Sequence, residues 1–106
     1  MLDSLKDVTL LDVRTNSEWK KGVIGHPVMM DYYSIDFNLK VLELPKNKAV
    51  FIYCHSGYRS QKTRKRLLRN GYSEVYELKP GILGWQKSGY PINSYDSLSI
   101  HDHSTK

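Results

Sequence analysis

The chain has 106 residues, 40% hydrophobic and 25% charged, with a formal net charge of +5. That length supports one domain with its own core and no disulfide or metal staples, and the longest apolar run, Ala49 to Cys54, falls well short of the roughly 20 residues of a membrane span. One cysteine excludes an internal disulfide, a CxxC redox pair and a cysteine-rich zinc site, and four scattered histidines make no metal set, so neither a metal nor a cofactor is expected.

In chain order, Val8 to Val13 (VTLLDV) is an apolar, partly β-branched run that reads as a buried strand. Thr15 and Glu18 have capping-box spacing, which predicts a short helix through residues 17–20 that ends near Gly22. Val28 to Met30 reads as a short strand entered from Pro27. Phe37 to Leu44 carries apolar residues at 37, 39, 41, 42 and 44, a helical pattern stopped by Pro45. Ala49 to Tyr53 (AVFIY) is apolar without alternation, as in a parallel strand buried on both faces. Ser60 to Asn70 follows as a helix, with Ser60 as its expected N-cap and Gly71 at its end. Val75 to Leu78 reads as a strand, and Pro80-Gly81 turns the chain into a last helix over residues 82–87. The expected organisation is one domain over residues 1–92 and a polar tail, 93–106, of loose structure.

Strands thus alternate with helices, which predicts an α/β fold with a central, mostly parallel sheet and helices on both faces. In such folds ligands bind outside the carboxyl ends of the strands. Cys54 stands there, directly after the most buried strand and before a helix.

The segment Cys54-His55-Ser56-Gly57-Tyr58-Arg59-Ser60 has the makings of an anion cradle. A loop that curls back on itself aims successive backbone N–H groups inward, and Gly57 permits the necessary backbone angles. The following helix adds unpaired N–H groups and the positive end of its dipole. Arg59 adds a charge that cannot be titrated away. All three act on an anionic sulfur, and thiolate is the reactive form of cysteine. His55, Ser56 and Tyr58 are read as backbone donors with side chains at the substrate mouth, and Ser60 as part of the same binding site. Nothing in the pattern makes His55 a general base. Asp12, Arg14, Trp19 and Trp85 read as structural.

This stretch resembles the active-site loop of rhodanese-like domains, in which a cysteine and an arginine bound a six-residue loop. Leu11-Asp12-Val13-Arg14 with Glu18-Trp19 is similar to the family's early signature, Ser60-Gln61 and Gly71-Tyr72 to its middle, and Pro80-Gly81-Ile82, Trp85 and Gly89-Tyr90-Pro91-Ile92 to its end. The match covers residues 8–92. The resemblance implies a sulfurtransferase that moves sulfane sulfur from thiosulfate or a persulfide to a thiol or cyanide acceptor through a Cys54 persulfide. Cys54 and Arg59 are then catalytic, and His55, Ser56, Gly57, Tyr58 and Ser60 bind substrate. The chain departs from the family pattern in two places. Only seven residues precede Val8, too few for the strand and helix that usually open the family, so the sheet is expected to lack its first edge strand unless the true start lies upstream. The stretch Gly22-Val23-Ile24-Gly25-His26 displaces the family's histidine, so His26 inherits no role.

Two other readings stand beside this one. A small phosphatase or arsenate reductase can share the fold, but its loop generally holds five residues between cysteine and arginine, and here there are four. A persulfide carrier or binding module without turnover is the third. The expected partners are a small anionic sulfur donor or protein persulfide and a thiol acceptor, with no nucleic acid and no membrane. Lys62, Arg64, Lys65, Arg66 and Arg69 make the helix after the loop basic, without the aromatic interleaving of a nucleic-acid platform. It reads as a solvated face, with docking of an acidic protein or anionic donor as the alternative. The start Met1-Leu2-Asp3-Ser4 has no look of a signal peptide, so the cytoplasm is the expected compartment, or the periplasm if an N-terminal segment has been removed.

Overall fold

The structure, a computed structural model, describes residues 8–94. Residues 1–7, where a first edge strand would have to begin, and 95–106, with the tail histidines, lie outside the described residues. The elements run β1 (Val8–Asp12), α1 (Asn16–Trp19), β2 (Val28–Met29), α2 (Phe37–Lys40), β3 (Ala49–Tyr53), α3 (Tyr58–Arg69), β4 (Val75–Glu77) and α4 (Gly81–Lys87). The helix expected over residues 37–44 divides, with a 3₁₀ turn at Val41–Glu43 after α2. Pro45 forces Leu44 into extended backbone, ψ 147°, which tightens the turn before it.

Among the described residues the four strands are parallel, in the order β2-β1-β3-β4. Side chains alternate along them, so each strand feeds both faces. On one face Leu11, Val13, Val50 and Ile52 pack against Phe37, Val41 and Leu67 from α2, its 3₁₀ extension and α3. On the other, Tyr53 packs with Ile24 and Ile82, flanked by Leu10, Leu78, Trp85 and Ile92. Helices therefore cover both faces, as the non-alternating apolar runs require.

The chain leaves β1 toward β2 on one side and leaves β3 toward β4 on the other. The crevice between the carboxyl ends of β1 and β3 is the topological switch point of the sheet, where divergent loops leave room for a ligand. Asp12 pairs with Tyr53 across this end of the sheet, and Cys54 is the next residue. Asn93 exchanges backbone hydrogen bonds with Val23 and donates from its side chain to the Gly25 carbonyl at 2.7 Å.

Candidate active site

Strand periodicity sets the direction of the cysteine. Val50, Ile52 and Cys54 share the face covered by α3, so Sγ points beneath the first turn of that helix. The thiol is buried, with 1% of the residue exposed. Two backbone N–H groups donate to Sγ, from Gly57 at 3.1 Å and Ser60 at 3.4 Å. The thiol donates to Ser60 Oγ at 3.5 Å.

Gly57 makes this possible. It lies in left-handed backbone, φ 106°, and a Cβ there would overlap the Lys79 carbonyl oxygen. The expected cap at Ser60 is corrected by three residues. Gly57 occupies the cap position, α3 begins at Tyr58, and Ser60 is the third helical residue. Its hydroxyl donates to the Gly57 carbonyl at 3.2 Å. Gly57 reverses the chain so early that the helix starts inside the loop, which polarity alone could not indicate.

The start of α4 holds the outer side of the loop. Ile82 N–H donates to the Cys54 carbonyl at 2.9 Å and Leu83 N–H to the His55 carbonyl at 3.0 Å. These bonds hold the Cys54 and His55 carbonyls on the outer side of the loop. Gly81 is required because a Cβ would overlap the His55 carbonyl. The side chains of His55, Ser56 and Tyr58 are exposed. His55 borders a cleft of about 290 Å³ together with Glu18, Lys21 and Gln86. A larger cleft, about 430 Å³, lies between β2 and α2 and includes no residue of the loop.

Arg59 closes the loop through a carboxylate. Its two terminal nitrogens donate to Glu18 Oε1 and Oε2 at 2.8 and 2.9 Å, and its guanidinium lies 5.6 Å from the Tyr33 ring centroid. The Arg59 hydrogen bonds, opposed by burial and helped by Thr15, hold the Glu18 carboxyl down at about 2. The same pairing raises the Arg59 pKa. Glu18 also accepts from the Thr15 N–H at 3.0 Å. One carboxylate thus caps α1 and ties it to α3. The capping spacing was legible in sequence, but an ion pair spanning 41 positions was not.

Asp12 and Arg14 support the same end of the sheet. Arg14 Nε and Nη2 grip the Asp12 carboxylate at 2.8–3.1 Å, and Nη2 also donates to the Gly22 carbonyl at 2.6 Å. Both residues are buried, in keeping with the structural role read from sequence. Trp85 packs on the second core and donates to the Pro91 carbonyl at 2.7 Å.

The fold is thus an α/β protein with a buried cysteine held by backbone N–H groups at the switch point of a parallel sheet. The Rhodanese-like domain family model matches residues 1–88, and the chain belongs to that family. It is 36% identical to a sulfurtransferase of Allochromatium vinosum over 91 residues, covering 86% of this chain and 83% of that protein. It is 32% identical to a tRNA uridine(34) hydroxylase of Buchnera aphidicola, covering 97% of this chain but only 36% of the hydroxylase. Among solved structures, a rhodanese-related protein from Thermoplasma volcanium superposes with a TM-score of 0.75 at 26% identity, over 86% of this chain and 88% of that one.

Proposed function

We propose that this protein is a sulfurtransferase that carries sulfane sulfur as a persulfide on Cys54. The observation that carries the reading is the pair of backbone donors on Sγ at the carboxyl end of β3. In the first half-reaction the Cys54 thiolate attacks the outer sulfur of thiosulfate. A new S–S bond forms, the old one breaks, and sulfite departs with the electron pair. In the second, a thiol or cyanide acceptor takes the outer sulfur and the Cys54 thiolate leaves. Neither step needs an outside oxidant or reductant. The N–H groups of the loop stabilise the outer sulfur as oxyanion-hole donors stabilise oxygen. His55, Ser56, Gly57 and Tyr58 line this mouth, Ser60 supports the sulfur from within, and Arg59 holds the loop closed through Glu18. A free, reactive thiol suits a reducing compartment such as the cytoplasm.

The phosphatase or arsenate-reductase reading loses on loop size. Four residues separate Cys54 from Arg59, a ring suited to one sulfur atom and too tight for a tetrahedral oxyanion, where a misfit of about 1 Å costs roughly a hundredfold in rate. The test is intact mass spectrometry after exposure to thiosulfate and to glutathione persulfide, beside an aryl phosphate hydrolysis assay. One added sulfur, removable by a thiol and absent from Cys54→Ser, is the expected result. Aryl phosphate hydrolysis without sulfur uptake would overturn the reading in favour of oxyanion chemistry. Sulfur uptake without release to any acceptor would mark a carrier instead.

A further inference from the structure

The residues of α3 divide sharply by face. Ser60, Thr63 and Leu67 are buried, so positions 58, 61, 62, 65, 68 and 69 line the opposite side, and all six are exposed. Two basic residues between the faces are tied to this domain's own backbone: Arg64 Nε donates to the Val75 carbonyl at 3.0 Å, and Arg66 to the Asn38 carbonyl at 3.0 and 3.2 Å. The exposed stripe carries Lys62, Lys65 and Arg69. Among the described residues the ion pairs are Arg14–Asp12, Lys40–Asp36 and Arg59–Glu18, so none of these three cations has a carboxylate partner there. Lys62 Nζ sits 5.0 Å from the centroid of the Tyr58 ring, which joins the stripe to the loop.

From Tyr58 to Arg69 the helix rises about 16 Å. A thiosulfate-sized ion cannot span that distance, whereas a stretch of polypeptide can. Leu68, 40% exposed, adds an apolar contact between the cations. Nucleic acid is disfavoured because single-strand platforms stack bases on several aromatic rings, and on this stripe Tyr58 stands alone with Lys62 against it.

We propose that the exposed stripe of α3 docks an acidic segment of a protein sulfur donor and so delivers that donor's persulfide to Cys54. This inference rests on the sulfurtransferase reading. The Cys54 thiolate attacks the outer sulfur of the donor's cysteine persulfide, a Cys54 S–S bond forms as the donor's S–S bond breaks, and the donor leaves as a thiolate. Complementary charge acts mainly on encounter and fades with salt.

The test uses a short peptide bearing one cysteine persulfide and four glutamates, a matched peptide with four glutamines, and glutathione persulfide as the small donor. Each is offered to the full chain and to a Lys65→Glu/Arg69→Glu variant, whose changes are remote from the loop. Sulfur gain on Cys54 is followed by mass spectrometry. Binding of fluorescently labelled, persulfide-free peptide is followed by anisotropy, and a Lys65→Gln/Arg69→Gln variant repeats both should the first fail to fold. The acidic peptide should react about tenfold faster than the neutral one at low salt. That advantage should vanish at about 0.5 M salt and in either variant, while glutathione persulfide reacts alike with all folded proteins. Equal rates for the two peptides, or a preference that survives in the variants, would overturn the docking inference and leave sulfur transfer standing. Tighter binding of an RNA hairpin through the same two cations would overturn it in favour of nucleic acid. Failure of every donor to sulfurate Cys54 would instead remove the sulfurtransferase reading, and the donor role with it.

Discussion

Glu18 is the residue on which the loop, α1 and the pH response meet. Its carboxyl is lowered from 4.5 to about 2, chiefly by the Arg59 hydrogen bonds. A carboxylate with a depressed pKa in the folded state binds fewer protons there than in the unfolded chain, so stability rises with pH across that interval. The contribution is complete above about 4.5 and is lost as the pH falls toward about 2. Because the pair reaches solvent, on the order of 1–2 kcal/mol is expected from it. Glu18→Gln should therefore lower the urea midpoint at pH 7, and the gap from the unmodified protein should begin to narrow below about pH 4.5 and close only near pH 2. A gap independent of pH would mean that the substitution acts through packing and not through charge.

At the scale of elements, the junction of β3, loop and α3 depends on one backbone conformation. Gly57 and Gly89 both have positive φ, 106° and 84°, but they differ in surroundings. A Cβ at Gly57 would overlap the Lys79 carbonyl, whereas nothing lies within 4 Å of one at Gly89. Gly89→Ala should cost only the conformational strain, about 1 kcal/mol. Gly57→Ala must also displace the turn that carries Gly81 and the start of α4, so about 3 kcal/mol is expected, with at least a tenfold loss of persulfide formation. Urea unfolding and mass spectrometry on the two variants separate strain from overlap. Equal costs would show that the turn yields freely.

Across the whole molecule, Tyr53 links the sheet to the segment that follows α1. Its ring packs in the second core, and its hydroxyl accepts the Ile24 N–H at 2.8 Å. Burial, with the Asp12 carboxylate adding to it, pushes the Tyr53 phenol well above its ordinary range. The hydroxyl therefore stays neutral wherever the protein is folded. Tyr53→Phe should cost about 1–3 kcal/mol, because it leaves a buried N–H without its acceptor. Thermal unfolding measures that loss, and the sulfur uptake of the folded fraction should remain within about twofold, since the opposite face of β3 carries Cys54.

What the sequence determined by itself was local in origin. The apolar run Ala49–Tyr53 announces a strand buried on both faces, the largely apolar stretch Val8–Val13 announces a second buried strand, and glycines at 57 and 81 mark places where the backbone turns. The position of Cys54 at the end of the most buried strand was readable for the same reason. The resemblance of its motifs, in order, to a family added the rest of the expectation. The tertiary structure decided what depends on distance along the chain. It set the strand order that makes the switch point, the Arg59–Glu18 pair, and the close packing of the loop on Lys79 and Gly81. It also moved the start of α3 from Ser60 to Tyr58 and tied Asn93 to Val23. Periodicity and turn chemistry report neighbours along the chain, whereas these contacts follow from which strands lie side by side, and only the folded sheet settles that.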